Sequence, residues 1–188
     1  ITQNTILSFL KNNNINVILN EEVIEFGQNS IKTSKGTIIN SKFNFLVTPI
    51  SAPKWISETG LRVDNSGFVR VNKFLQTSNE NIFASGDVSS FENKNLPKAG
   101  VYAVRQGPIL FKNLRAKILN YSLTSFKPQN SFLSLIGNGK DEAIFSWKGI
   151  SFKSKFAWML KRYIDESFMK KYSHLNLMKM ESIQPHPK

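Results

Sequence analysis

The sequence predicts an α/β protein, and three observations carry that prediction. Asn81-Ile82-Phe83-Ala84-Ser85-Gly86-Asp87 reads as a buried strand that ends on Gly-Asp, and the next proline, Pro97, opens a helical pattern. Short period-two segments near the start of the chain, separated by Gly and Asn turns, read as a β-meander. Two stretches, residues 97–119 and 156–172, carry apolar residues at helical spacing.

Taken in order, Ile6, Leu7 and Leu10 recur at helical spacing, and the Asn12-Asn13-Asn14 run stops that helix. Residues 15–19 read as a strand. Val23-Ile24-Glu25-Phe26 and Ser30-Ile31-Lys32-Thr33 alternate, Lys35-Gly36 turns the chain, and Ile38-Ile39 and residues 43–47 continue the series. Pro49 and Pro53 break it. Residues 55–64 read as loop and short helix with Gly60-Leu61 as a cap, followed by the turn Asn65-Ser66-Gly67 and a strand at Phe68-Val69-Arg70-Val71. The helix at 97–119 presents Val101, Val104, Ile109, Leu110, Leu114 and Ile118 as its apolar positions, with a kink or break expected at Pro108. Residues 132–136 and 143–147 form a hairpin across Gly137-Asn138-Gly139-Lys140, and Lys148-Gly149 turns into a third strand. In the last helix Phe156, Met159, Leu160, Tyr163, Ile164, Phe168 and Tyr172 mark one face, with charged residues opposite. Residues 174–188 read as linker.

Composition excludes several function classes. The chain has 188 residues, 40% apolar and 20% charged, which is ordinary for a globular protein. There is no cysteine, so disulfides, thiolate metal sites and a redox-active cysteine pair are excluded within it. The only histidines are His174 and His186, so neither a histidine metal site nor a catalytic triad is expected. The net charge of +12 is spread along the chain rather than gathered in a stripe, which argues against a nucleic-acid partner. The chain begins on Ile1, lacks the pattern of a secretory signal and reads as a piece of a longer polypeptide located in the cytoplasm.

The chemistry concentrates at Gly86-Asp87 and the helix beyond. Ligands of open α/β sheets sit beyond the carboxyl ends of strands. Gly86 lets backbone approach a ligand closely, and Asp87 can accept hydrogen bonds from a chain of hydroxyls. Pro97 suits the first helical turn, and the amides near Ala99, Gly100 and Val101 carry the positive end of the helix dipole, which stabilises negative charge. The dipeptide alone reads more readily as a strand-end turn, with Asp87 a helix cap or loop carboxylate. Lys98 reads either as a ligand-facing cation or as a solvated side chain at the helix start.

Leu75-Gln76-Thr77-Ser78 followed by Asn81-Ile82-Phe83-Ala84-Ser85-Gly86-Asp87 resembles the second flavin-contact motif of the pyridine nucleotide-disulfide oxidoreductase superfamily, which includes type II NADH dehydrogenases. Further segments agree in order: Ala52-Pro53-Lys54-Trp55, Ser57-Glu58-Thr59-Gly60-Leu61, Gly67-Phe68-Val69-Arg70-Val71, residues 97–108, Pro128-Gln129, residues 132–136, and Trp158 with Ile164-Asp165 and Phe168-Met169. Together they resemble the branch found fused ahead of selenide, water dikinase. The resemblance implies the C-terminal half of a flavoprotein with two dinucleotide-binding domains. Residues 1–50 would end the NAD(P)-binding domain, 51–120 would belong to the FAD-binding domain, and 121–173 would be a hairpin and amphipathic-helix appendage. It implies FAD and NAD(P)H as cofactors, with contacts at Gly86, Asp87, Pro97, Lys98, Ala99, Gly100 and Val101, and a fused or associated selenide, water dikinase as partner. Catalytic residues are not indicated.

The sequence also departs from the family pattern. No Gly-x-Gly-x-x-Gly fingerprint is present, so both phosphate loops are expected upstream of Ile1. Val47-Thr48-Pro49 stands where Ala-Thr-Gly is common. Arg105-Gln106 does not reproduce the glutamines that line the quinone pocket of type II NADH dehydrogenases, and reads as part of a helix packed under the cofactor. The helix at 156–172 reads either as a face lying in a membrane interface or as one packed on its own domain or a partner. Two competing classes remain: a membrane-associated NADH:quinone oxidoreductase and a basic interaction module without a cofactor.

Overall fold

A computed structural model describes residues 2–173, which form two compact units. One comprises residues up to Glu22 together with those from Ser131; the other runs Val23–Asn130. The linker reading for 174–188, with His174 and His186, lies outside the described residues.

In the first unit, helix α1 (Thr2–Asn12) stops where the asparagines begin. Asn13 Nδ2 donates to Phe9 O at 2.8 Å, and Asn14 takes a left-handed φ of 55°. Strands β6 (Ser134–Gly137), β7 (Ala143–Trp147) and β8 (Ile150–Ser154) make an antiparallel sheet in that order. Phe145 and Phe152, paired across β7 and β8, stack with ring centroids 4.8 Å apart. The final helix α3 (Lys155–Ser173) is capped by Ser154, whose Oγ accepts the Ala157 N–H at 3.0 Å. It packs on the sheet through Ala157 and Trp158; a Cβ on Gly137 would sit 3.1 Å from the Trp158 ring, a contact that the ring would have to yield to by a few tenths of an ångström. α1 packs on β7 and β8, which places the first 22 residues with this sheet.

The second unit opens with the meander β1 (Val23–Phe26), β2 (Ser30–Thr33) and β3 (Ile38–Asn40), antiparallel in sequence order, with Gly36 at φ 84° in the β2–β3 turn. A 3-10 turn follows at Lys54–Glu58, burying Ile56. β4 (Val69–Val71) and β5 (Ser89–Phe91) pair in parallel, Val69 opposite Ser89 and Val71 opposite Phe91. Helix α2 (Gly100–Ile118) completes the unit. Ile56, Phe68, Val69, Val71, Leu75, Tyr102 and Phe126 form its core, and Phe91 meets Phe126 edge to face at 5.8 Å.

Several expectations need correction. Residues 15–19 and 43–47 form no strand, because no neighbour among the described residues offers a ladder; Phe43, Phe45 and Val47 are largely exposed. The stretch before Gly86 is not a buried strand either. Its pairing is limited to the Gln76–Phe83 bridge, with Thr77 N–H donating to Ile82 O and Ala84 N–H to Leu75 O. α2 starts at Gly100, three residues beyond Pro97, so Pro97 is not in the first turn. Pro108 does not break α2; it and Val104 are exposed, and water can satisfy the carbonyl that the missing N–H leaves free.

The buried face of α2 also differs from the expected apolar one. Its buried residues are Tyr102, Gln106 and Asn113, while Val104, Leu114 and Ile118 are exposed, as is Phe111. At about 100° per residue, Gln106 and Asn113 lie within about 40° of Tyr102, and the exposed apolar residues lie about 120–180° away. α2 is therefore docked through polar side chains. The apolar stripe of α3 is only partly packed on the described residues: Leu160 is half-buried, but Phe156, Met159 and Tyr163 are each at least 66% exposed.

Candidate functional site

The Gly86-Asp87 dipeptide sits in a 3-10 turn, Gly86–Val88, that leads directly into β5. Gly86 has φ 70°, the left-handed region that glycine enters without steric cost. The turn closes on itself through Ser89 Oγ, which donates to Gly86 O at 2.8 Å. Two side chains from the segment that follows grip its ends. Gln106 Oε1 accepts the Gly86 N–H at 2.6 Å, and Lys98 Nζ donates to Ser89 O at 2.6 Å. The turn and the start of α2 are thereby joined, and Gly86, Asp87, Pro97, Lys98, Ala103 and Gln106 share a narrow cleft.

Asp87 is half-buried, and its carboxylate accepts no hydrogen bond among the described residues. Its charge acts on Lys98, favouring the protonated amine. Nearby, α2 begins without a side-chain cap: Ala99 holds an extended conformation at the cap position, and its carbonyl accepts the Tyr102 N–H at 2.9 Å. The amides of Gly100 and Val101 belong to the first turn, where no intrahelical acceptor exists. A Cβ built on Gly100 would meet nothing within 4 Å, so the approach to this terminus is open.

Lys98 is neither free nor simply solvated. Its ammonium lies 3.7 Å from the Phe68 ring centroid as well as on Ser89 O. Burial pushes its pKa down and outweighs the opposing pull of Asp64 and Asp87. Asp64 supports this arrangement: its Oδ1 accepts the Ser66 and Phe68 N–H groups at 2.9 and 3.0 Å. Burial raises the Asp64 pKa, but hydrogen bonds from the Ser90 side chain, Phe68 and Ser66, with the charge of Lys98, reverse that and leave it lowered.

Of the seven residues singled out from the sequence, the structure brings Gly86, Asp87, Pro97 and Lys98 to one cleft and sets Ala99, Gly100 and Val101 at the uncapped terminus of α2. Gln106, which the sequence reads as part of a helix packed under the cofactor rather than of a quinone pocket, is 3% exposed and tied to Gly86, whereas Arg105 faces solvent. Among the described residues no group of acidic side chains is arranged to hold a metal ion. A half-buried acceptor without a protein donor, beside bare helix amides, fits a hydroxyl-bearing group that also carries or gains negative charge.

Comparison with known proteins adds the family. A family profile described as pyridine nucleotide-disulphide oxidoreductase matches residues 2–107, more than half of the chain. A coenzyme A disulfide reductase of Staphylococcus haemolyticus is 31% identical over 84 residues, covering 42% of this chain and 19% of the relative. The corresponding protein of Staphylococcus aureus is 29% identical over 97 residues, covering 49% and 22%. The chain thus spans about a fifth of these curated relatives. Among solved structures, the sulfide:quinone oxidoreductase of Aquifex aeolicus superposes with a TM-score of 0.67 at 20% identity, covering 88% of this chain and 44% of that one. An NAD-dependent persulfide reductase from A. fulgidus gives 0.60 at 18% identity, covering 76% and 27%. At such identities these two likenesses speak to fold.

Proposed function

The chain belongs to the pyridine nucleotide-disulphide oxidoreductase family, and from that premise we propose that it forms part of the FAD-binding half of an NAD(P)H-dependent flavoprotein. FAD and a pyridine nucleotide are the cofactors of this oxidoreductase family. When bound, the flavin takes hydride from NAD(P)H and passes electrons to an acceptor. The contribution of this chain is orientation and charge. Asp87 would accept hydrogen bonds from the cofactor's hydroxyl chain, Gly86 would let it approach the backbone closely, and the Ala99, Gly100 and Val101 amides would stabilise the negative charge it gains. Pro97 and Lys98 hold the connecting segment, with the Lys98 charge behind the turn.

The observation that carries this reading is the Asp87 carboxylate, without a hydrogen-bond donor among the described residues, beside the uncapped start of α2 and inside the span matched by the family. With no cysteine in the chain, any thiol–disulfide step must use groups that this chain does not hold. The domain assignment, residues 1–50 to the nucleotide-binding domain, 51–120 to the FAD-binding domain and 121–173 to an appendage, belongs to the same proposal, although it cuts across the compact units, in which α1 packs with the β6–β8 sheet. The ordered motifs supply the further proposal of a cytoplasmic protein linked to selenide, water dikinase and selenium metabolism. A second reading, a quinone reductase lying on a membrane surface, is favoured by the exposed Phe156, Met159, Tyr163 and Phe168 of α3 beside Lys161, Arg162, Lys170 and Lys171. No helix among the described residues is long and apolar enough to cross a membrane.

The test uses the full-length protein. It is expected to purify with flavin absorbance, and Asp87→Ala should weaken FAD binding about 10- to 150-fold, the range for a hydrogen bond to a charged group. A colourless, FAD-free protein, or an Asp87→Ala variant that holds FAD as tightly as its parent, would defeat the reading. NADH oxidation driven by quinone in the presence of vesicles, and lost in Phe168→Asp, would select the membrane reading.

A further inference from the structure

We propose that Gln106 is a positioning residue: it fixes the peptide plane at Gly86 and through it the place of the Asp87 carboxylate. The proposal rests on the flavin reading for its functional consequence, and on geometry alone for its mechanical part.

Gln106 is 3% exposed, and its Oε1 accepts the Gly86 N–H at 2.6 Å across 20 residues of sequence. A buried amide side chain is unfavourable unless its polar atoms are used, and an apolar residue of similar length would fill the same space. The hydrogen bond is therefore the reason for a glutamine at this position. Gly86 needs such a partner more than another residue would. At φ 70°, and without a Cβ, its backbone has an unusually wide range of alternatives, so the direction of the chain into Asp87 depends on what holds the amide. The base of the hold is rigid. α2 is anchored on the same face by Asn113, whose side chain makes three hydrogen bonds, and by Tyr102 at its start. On the far side of the turn, Lys98 holds Ser89 O, so rotation about Gly86 is opposed at both ends. Gln106 acts on the cofactor only through this turn.

The experiment compares the full-length protein with Gln106→Met, with Gln106→Leu as a second apolar replacement, and with Gln106→Glu, which keeps an acceptor oxygen. In the FAD-loaded protein the apolar variants should weaken FAD binding about tenfold and alter the visible flavin spectrum, and Gln106→Glu should restore the affinity to within about threefold. In FAD-free protein, hydrogen–deuterium exchange of the peptide containing Gly86 should quicken about tenfold in the apolar variants and return towards the parent in Gln106→Glu. Unchanged exchange at Gly86 in a folded Gln106→Met or Gln106→Leu protein overturns the proposal. So does equal damage from the apolar variants and Gln106→Glu, which assigns the position to packing. If the parent holds no FAD, the flavin reading fails on its own, and the exchange measurement still decides whether Gln106 sets the turn.

Discussion

Replacing Asn113 by leucine should destabilise the protein by about 3 kcal/mol, although it adds apolar volume to a fully buried position. Asn113 is 0% exposed. Its Nδ2 donates to Phe74 O at 2.8 Å and to Thr124 O at 2.9 Å, and its Oδ1 accepts the Thr124 N–H at 2.7 Å. Each such bond contributes about 1 kcal/mol net, and an abandoned buried partner costs about 1–3 kcal/mol. Thr124 is exposed, so water can re-satisfy its two groups; Phe74 O is the partner left in need. Three bonds at about 1 kcal/mol each therefore set the scale, and leucine's extra apolar contact does not offset them because the pocket is shaped for an amide. For a domain of this size that corresponds to about 6–12 °C in Tm. Urea unfolding followed by circular dichroism, with parent and variant compared at equal m-value, measures it. A loss below about 1 kcal/mol would refute the reasoning, since it would mean that α2 is held by apolar burial and that its polar face is incidental.

Two further outcomes follow from the same geometry. Gly86→Ala meets no crowding, since its Cβ would lie 3.5 Å from the Ala103 Cβ. The left-handed backbone still costs about 1–2 kcal/mol, readable as a lower thermal midpoint, and an unchanged midpoint would show that the turn can relax. Asp64 has its pKa lowered from 3.8 in the fold, so the stability it contributes is present above that value and is lost as pH falls through the lowered one. Asp64→Asn should therefore cost about 1 kcal/mol at pH 7, and urea titrations should show the difference from the parent shrinking as pH falls below 3.8 and through the lowered pKa. A difference independent of pH would mean that the carboxylate charge plays no part.

What could be read from the sequence divides along a physical line. α1, α3 and the β1–β3 and β6–β8 sheets depend on short-range periodicity and on turn residues such as Gly36, Gly139 and Lys148-Gly149, all of which a linear reading can see. Residues 15–19 and 43–47 carry the same β-prone composition but find no ladder among the described residues, and a strand is a property of a pair. The helix after Pro97 was legible, but its start and its inner face were not. Periodicity counts apolar residues and so selected Val104, Leu114 and Ile118, whereas hydrogen bonds to Gly86, Phe74 and Thr124 turn the opposite face inward. At the site, Gly86 and Asp87 stood out by residue type. Gln106 and Asp64 did not, because their roles lie in contacts with backbone groups that the linear sequence does not reveal.

The two faces of α2 bear on how the site is set. Apolar packing is non-directional, and a helix held by it alone can slide or rotate by a fraction of a turn at small cost. Hydrogen bonds tolerate far less: the N–H to oxygen distance must stay near 2.7–3.2 Å with an open angle. By docking through Gln106 and Asn113, spaced seven residues apart on one face, α2 has both its rotation and its axial position fixed against the segments at Gly86 and Phe74. Its uncapped start at Ala99, Gly100 and Val101 is then fixed relative to Asp87 with the same tolerance. A site that must hold a carboxylate and a helix terminus in register around one ligand requires that precision, and an apolar seam in the same place would supply stability without it.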